Sequence, residues 1–165
     1  MPVEIAIEDP DQPEVRALLA KADAYYAVLY PAESNHLLDV TELRRPEVAF
    51  FVARREGAVV GFGCLVRQDG DYGEIKRLYV IDAARGAGAG RAVLDCIERH
   101  AASLGLRFLR LETGIRQPEA LSLYRAAGFR ERPPFGAYQN DPLSLFMEKR
   151  LAPRPRAKDV SRYRG

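Results

Sequence analysis

The sequence is poor in the residues that build disulfide frameworks and metal sites. Cys64 and Cys96 are its only cysteines, and His36 and His100 its only histidines. Two cysteines cannot form a disulfide framework, and no His/Cys group has metal-ligand spacing. No Gly-x-Ser-x-Gly motif is present either. These absences argue against a secreted disulfide scaffold, a metal-dependent enzyme and a serine hydrolase of that type.

Long apolar runs and a strong net charge are also missing. No uninterrupted apolar stretch approaches membrane-spanning length, and the N-terminus lacks a basic-then-apolar signal segment, so we expect a cytoplasmic protein. The net charge is +2, but residues 152–165 hold five Lys or Arg and one Asp, which leaves 20 basic and 22 acidic groups in residues 1–151. We therefore predict one domain over 1–151 and a basic, disordered tail over 152–165, with nucleic-acid binding not expected of the domain.

Residues 74–91 combine a strand, a loop rich in arginine and glycine, and the start of a helix. Ile75 and the run from Leu78 to Ile81 are apolar, aromatic or β-branched, which favours a mostly buried strand. Apolar residues then recur at three- and four-residue spacing and predict an amphipathic helix over 90–104, namely Val93, Leu94, Ile97, Ala101 and Leu104.

The loop before this helix places Gly86, Gly88 and Gly90 within five residues. Without a Cβ, the backbone there can turn sharply and approach another group closely. A helix N-terminus carries free N–H groups and a positive partial charge, and here Arg85 and Arg91 flank it. The loop therefore predicts a binding site for a phosphate or pyrophosphate.

Glycine spacing separates three phosphate-binding motifs. A Walker loop requires Lys-Ser or Lys-Thr after the glycines, and neither is present. A dinucleotide fingerprint requires Gly-x-Gly-x-x-Gly, but the sixth position is Arg91 counted from Gly86 and Val93 counted from Gly88. The third pattern, Arg/Gln-x-x-Gly-x-Gly/Ala, is met by Arg85, Gly88 and Gly90.

With this third pattern the sequence resembles the GNAT superfamily of acyl-CoA-dependent N-acetyltransferases. Glu74 to Val80 is similar to the family's central strand, and Arg110 to Thr113 to the strand after its coenzyme A helix. Ala120 to Phe129 is similar to its Ala-x-x-Leu-Tyr-x-x-x-Gly-Phe segment. The ordered set covers residues 74–129. One departure is Gln117, which stands where many relatives carry an Asn.

The resemblance implies an α+β fold with three layers. We expect a mixed, mostly antiparallel twisted sheet flanked by helices, whose central parallel strands splay apart. Local patterns predict the remaining elements. The predicted strands are 3–7, 48–53, 59–66, 107–112, 129–131 and 143–148, and the predicted helices are 14–30, 37–43 and 118–127.

The resemblance also implies that acetyl-CoA is the co-substrate, with its pantetheine arm in the gap between the splayed strands and its pyrophosphate on the glycine loop. The backbone N–H near Leu78 would polarise the thioester carbonyl. The residues expected to contact coenzyme A are Leu78, Tyr79, Val80, Arg85, Gly86, Ala87, Gly88, Ala89, Gly90, Arg91, Gln117 and Leu123.

Two catalytic residues follow from the same resemblance. Tyr124 matches the tyrosine that donates a proton to the departing thiolate, and a phenol is protonated at neutral pH. Glu74 stands where some members hold a glutamate that takes the amine proton, directly or through water. Glu112 is the second candidate for that base.

The acceptor is expected to be a primary amine on a small molecule, a peptide or a protein. Candidate acceptor contacts are Tyr26, Tyr30, His36, Arg77 and Glu112. The reaction implied is direct transfer without a metal or a covalent enzyme intermediate, in a monomer or a homodimer. Two other functions stay open at this stage: a coenzyme-A-binding regulator without activity, and a nucleic-acid-associated protein that acts through the basic tail.

Overall fold

The computed structural model describes residues 2–34, 37–86 and 88–152. Our predictions for His36, for Ala87 and for the tail beyond Ala152 lie outside these residues. The strands are β1 (Glu4–Ile7), β2 (Val48–Arg55), β3 (Ala58–Arg67), β4 (Tyr72–Val80), β5 (Phe108–Gly114), β6 (Arg130–Arg132) and β7 (Ser144–Arg150). The helices are α1 (Pro13–Leu29), α2 (Val40–Leu43), α3 (Asp82–Arg85), α4 (Ala89–Ser103) and α5 (Pro118–Ala126), with a 3-10 turn at Ala32–Ser34.

The strands form one mixed sheet in the order β1-β2-β3-β4-β5-β7-β6. Neighbouring strands run antiparallel except β4 and β5, which are parallel. The connection through α4 joins β4 to β5, which are the predicted central parallel strands. This arrangement confirms the predicted mixed, mostly antiparallel sheet.

Each face of the sheet is covered by helices. On one face the apolar stripe of α4 packs against Phe51, Leu65 and Leu111. On the other face α1 packs against Phe50 and Phe62. The buried residues of α1 are Val15, Leu18, Leu19 and Ala22, and those of α4 are Ala89, Val93, Leu94, Ile97 and Ala101. The predicted three layers are therefore confirmed.

Most element boundaries agree with the sequence patterns, and α2 is the main exception. We predicted a helix over 37–43, but α2 begins only at Val40. The Asp39 side chain accepts a hydrogen bond from the Glu42 N–H, and the Glu42 side chain accepts one from the Asp39 N–H at 3.4 Å. This reciprocal capping box fixes the start of α2.

Turn geometry follows the residues that the sequence places there. Glu56 and Gly57 join β2 to β3 with φ values of 52° and 83°, as a two-residue hairpin turn requires. Gly128 follows the end of α5 with φ 98°, and the Phe129 N–H donates a hydrogen bond to the Tyr124 carbonyl at 3.0 Å. Pro118 opens α5 at its first position.

Candidate active site

The parallel strands β4 and β5 separate partway along their length. Their pairing ends at Ile75 and Leu111, although β4 continues to Val80 and β5 to Gly114. The predicted splayed pair is therefore present. A central cavity occupies the gap, lined by residues that include Tyr26, Tyr30, Glu74, Lys76, Leu78, Glu112, Gln117, Tyr124 and Tyr138.

A bulge in β4 borders this cavity. Phe62 pairs with Tyr79 and Cys64 with Lys76, so Arg77 and Leu78 together oppose the single Gly63. Arg77 has φ 58°, a left-handed conformation that is unusual for a residue with a side chain. The bulge takes Leu78 out of the regular ladder, and Leu78 lines the cavity.

The glycine loop and the first turn of α4 border a second depression, which we call the helix groove. Gly88 caps α4 with φ 79° and ψ 15°. The first backbone N–H groups of a helix have no partner within it, so those of Ala89, Gly90 and Arg91 are available to an anion. The groove gathers most of the residues predicted to hold coenzyme A, namely Leu78, Tyr79, Val80, Arg85, Gly88, Gly90, Arg91, Gln117 and Leu123.

The three loop glycines have different roles. Only Gly88 has a positive φ. Gly86 has an ordinary φ of −70°, and a Cβ there would meet no atom of the described residues within 4 Å, so its own backbone conformation does not require glycine. A Cβ at Gly90 would lie 3.3 Å from Leu123, so this glycine allows α4 and α5 to approach closely.

The arginines that flank the loop are held differently. Arg85 donates to the Val80 carbonyl at 3.0 Å, and its guanidinium lies 5.8 Å and 5.7 Å from the ring centres of Tyr25 and Tyr79. Arg91 pairs with Asp95 one turn along α4, at 3.0 Å. Arg85 is therefore fixed on the wall of the helix groove, while Arg91 stays at its half-exposed rim.

Tyr124 lines both the central cavity and the helix groove. Its ring packs edge-on against Phe129, and the residue is buried. Among the residues that the structure describes, its hydroxyl has no hydrogen-bond partner. Burial, helped by the charge of Glu112, raises the pKa of Tyr124 well above its usual range. The phenol is thus protonated at neutral pH, in a residue that borders both spaces.

Glu74 is almost fully buried, with 3% of the residue exposed, although it lies near the start of β4. Its Oε1 accepts a hydrogen bond from Gln68 Nε2 at 3.0 Å, and its Oε2 accepts one from the Tyr138 hydroxyl at 2.5 Å. Lys76 Nζ lies 3.6 Å from the same Oε2. These donors compensate the buried charge.

Glu112 reaches the cavity from β5. Its Oε1 accepts a hydrogen bond from the Ser144 hydroxyl at 2.7 Å. The charge of Glu112 contributes to the raised pKa values of Tyr30, Tyr124 and Tyr138. Glu74 and Glu112 therefore line the same cavity.

Tyr26 of α1 and Tyr30 at the C-terminal cap of α1 both line the central cavity. Burial raises the pKa of Tyr26 to about 12, and its hydroxyl donates to the Leu78 carbonyl at 3.4 Å. The Tyr30 hydroxyl donates to Gln117 Oε1 at 3.1 Å and accepts the Arg116 N–H at 3.1 Å. Gln117, where the family pattern has Asn, thus joins α1 to the start of α5.

Arg77, a predicted acceptor contact, is buried on the α1 side of the sheet. It is paired with Asp23, and only 2% of its side chain is exposed. Its buried Nε has no hydrogen-bond partner among the described residues. The residue lines the central cavity, where its side chain is shielded from bulk solvent.

Sequence reasoning missed Tyr138, Lys76 and Gln68, all of which surround Glu74. Tyr138 is half-buried in the loop between β6 and β7, where its ring packs edge-on against the buried Phe135. Two aromatic residues three apart in a proline-rich loop were the signal that this loop folds inward. Lys76 is two residues from Glu74 on the same strand, so alternation alone places it on the same face.

The cavity has a further opening, the outer groove, on the side away from the helix groove. It is lined by the 3-10 turn, α2, the strand ends and the β6–β7 loop, and it reaches Glu74, Lys76 and Tyr138. Ser34 and Asp141 tie two of these walls together through a hydrogen bond of 2.6 Å.

Two further structural findings concern metals and membranes. Across 2–34, 37–86 and 88–152, no group of three or more His, Cys, Asp or Glu is placed to hold a metal ion. Within the same ranges, no helix combines the length and the apolar character needed to cross a membrane.

Known proteins with the same fold and similar sequence agree with this geometry. The model of the acetyltransferase (GNAT) family matches residues 15–129. An IAA acetyltransferase of Azospirillum brasilense is 51% identical over 150 residues, covering 90% of this chain and 98% of that protein. The uncharacterized N-acetyltransferase YsnE of Bacillus subtilis is 34% identical, with 89% and 99% covered.

Solved structures lead to the same family. A Klebsiella pneumoniae protein assigned to the acyl-CoA N-acyltransferases superposes with a TM-score of 0.81 at 36% identity, covering 91% of this chain and 98% of that one. An N-acetyltransferase of Thermoplasma acidophilum in complex with coenzyme A shares the fold, with a TM-score of 0.71 at 19% identity and coverage of 92% and 100%. The chain therefore belongs to the acetyltransferase (GNAT) family, and it is an acyltransferase.

Proposed function

We propose that this enzyme transfers an acetyl group from acetyl-CoA to a primary amine by direct attack. One observation carries the proposal: two separate openings meet at the gap between β4 and β5. The central cavity shares Leu78, Gln117 and Tyr124 with the helix groove. It shares Glu74 and Tyr138 with the outer groove. A donor and an acceptor could thus reach one point from different sides.

The helix groove fits a coenzyme A arm. The free N–H groups at the start of α4 suit a pyrophosphate, and Arg85 adds positive charge beside them. The separated edges of β4 and β5 leave backbone groups for the pantetheine amides. When bound, acetyl-CoA supplies an activated thioester. The bulge at Arg77 and Leu78 would then direct a backbone N–H toward the thioester carbonyl.

Acid and base roles follow from the two sides of the cavity. Tyr124 faces both openings with a protonated hydroxyl, so it would donate a proton to the departing thiolate. Glu74 borders the acceptor side and would receive the proton that the amine loses. Glu112 stays the second candidate for that base.

Direct transfer is favoured because neither of the two described cysteines offers an activated nucleophile to the cavity. Burial raises the pKa of Cys64 to about 12, and its thiol donates to the Lys76 carbonyl at 3.2 Å. A protonated, hydrogen-bonded thiol is a poor nucleophile. Cys96 lies on α4 and lines neither the cavity nor either groove.

Calorimetric titration with acetyl-CoA, followed by thiol release in the same sample, tests the proposal. The acceptor panel holds alkylamines, amino acids and peptides, together with IAA because the Azospirillum relative is named an IAA acetyltransferase. We expect binding, and thiol release with at least one amine class. Absence of binding would overturn the donor assignment, and release only with acceptors that lack an amine would overturn the acceptor assignment.

A further inference from the structure

Glu74 is shielded from the acceptor side by Tyr138. Only 4% of the Glu74 side chain is exposed, and both carboxylate oxygens already accept hydrogen bonds. Tyr138 is more exposed than Glu74 and borders both the central cavity and the outer groove. An amine that enters through the outer groove therefore meets the Tyr138 hydroxyl before it meets the carboxylate.

The Tyr138 ring is held in place by packing that does not depend on its hydroxyl. Its ring centre lies 5.2 Å from that of Phe135 and 5.4 Å from that of Phe146. The Lys76 ammonium lies 5.3 Å from the ring centre on another side. The hydroxyl is thereby aimed at Glu74 Oε2, and a phenylalanine at this position would keep the ring packing.

From this geometry we infer that Tyr138 is a catalytic proton relay between the acceptor amine and Glu74. This inference rests on the proposed function, in which Glu74 is the base. As the ammonium gives one N–H proton to the Tyr138 oxygen, the phenolic proton passes to Glu74 Oε2. The products are a neutral amine, a neutral tyrosine and a protonated glutamate, so no proton is gained or lost.

The surroundings of Tyr138 suit a group that passes a proton without ionising. Its hydroxyl is faced by Tyr72, Glu74 and Lys76 of β4 and by Glu112 of β5. Burial, followed by the negative charge of Glu74, raises the pKa of Tyr138 far above its ordinary value. A phenolate is therefore not formed at neutral pH, and a concerted transfer avoids it.

The test compares Tyr138→Phe, Glu74→Gln and the double variant, with Ser103→Ala as control. Ser103 is exposed at the end of α4, where its hydroxyl donates to the His100 carbonyl at 2.6 Å, so its variant removes one hydroxyl away from the cavity. At pH 7 we expect Tyr138→Phe to lower kcat about 10- to 100-fold with unchanged acetyl-CoA affinity, and to lower Tm by about 2–6 °C because Glu74 Oε2 loses a donor. The double variant should be no slower than Glu74→Gln, because the two residues act as a unit.

The pH dependence separates a relay from a merely structural role. An alkylamine with a pKa of about 10.4 is increasingly neutral as the pH rises toward 9.5, and a neutral amine needs less help in losing a proton. The fold loss of kcat in Tyr138→Phe relative to the wild type should therefore become smaller between pH 7 and 9.5. The fold loss in Glu74→Gln should become smaller over the same range. Ser103→Ala should follow the wild type throughout.

Three results would overturn the relay. The first is an unchanged kcat in Tyr138→Phe. The second is a fold loss of kcat in Tyr138→Phe that is the same at every pH, and the third is a double variant whose fold loss of kcat is the product of the two single losses. Absence of thiol release by the wild-type enzyme with every amine would instead overturn the proposed function, and the relay with it.

Discussion

The contact between Gly114 and Tyr30 offers a sharp test of how the cavity is closed. A Cβ added at Gly114 would lie 1.8 Å from the Tyr30 hydroxyl oxygen and 2.1 Å from Cζ. No small shift relieves so close an approach, because Tyr30 is buried and bonded to Gln117 and Arg116. In Gly114→Ala the Tyr30 ring must leave its site.

The expected cost combines lost packing with lost hydrogen bonds. Removing a buried aromatic side chain typically costs about 3–5 kcal/mol, and each of the two hydrogen bonds contributes about 1 kcal/mol. The displaced ring recovers part of this by packing elsewhere, so we expect Gly114→Ala to lower the free energy of unfolding by about 3–4 kcal/mol. At about 2–4 °C per kcal/mol, Tm should fall by roughly 6–16 °C.

A double-mutant cycle with Tyr30→Ala isolates the clash, measured by urea unfolding with circular dichroism. Tyr30→Ala removes the ring, so adding Gly114→Ala to it should cost less than about 0.5 kcal/mol. The interaction energy between the two sites is then about 3 kcal/mol, near the upper end for residues in contact. Additive losses would refute the reasoning, because they would show that the two groups do not compete for the same space.

Three further predictions concern chemistry and ligand binding. Tyr124→Phe should lower turnover about tenfold to a thousandfold with nearly unchanged coenzyme affinity, and unaltered turnover with a chemically limited substrate would remove Tyr124 as the acid. Gly88→Val and Gly105→Val both place a side chain at a positive φ, 79° and 78°, and each should lower the free energy of unfolding by about 1–3 kcal/mol. Calorimetry should show loss of acetyl-CoA binding in Gly88→Val but not in Gly105→Val. Burial raises the pKa of Cys64 to about 12, so Cys64 should resist alkylation by iodoacetamide in the native protein at pH 8, and its labelling in the native state would contradict its burial. Its contribution to the free energy of unfolding should fall as the pH rises from about 9 toward 12, because only the unfolded thiol then ionises.

Local sequence patterns predicted the elements, because helix periodicity, strand alternation and turn residues act over a few positions. The bulge in β4 had a local signal that we did not use. Ile75, Leu78 and Val80 all pack on the α4 face, with a step of three between the first two instead of two. Such a step is what one inserted residue produces in an alternating strand.

Contacts between distant loops had no local signal. Tyr138 and Glu74 are 64 residues apart in sequence, and Ser34 and Asp141 are 107 apart. The glycine loop shows that a local pattern can also fail to distinguish two residues. Gly86 and Gly88 look equivalent in the sequence, but of these two only Gly88 adopts a positive φ. The splayed strands were predicted from the resemblance to the GNAT superfamily and not from a local pattern, because strand separation depends on the whole sheet.

The two openings of the cavity have a consequence for the size of the acceptor. Under the proposed function, an acceptor would have to bring only its reactive arm to the inner end of the outer groove, where Tyr138 and Glu74 lie, and its bulk could stay in solvent. A metabolite and a long side chain on a folded protein meet the same steric demand at this point. Selectivity then depends on the rim of the outer groove, so recognition of the acceptor can diverge between relatives while the reactive centre is preserved.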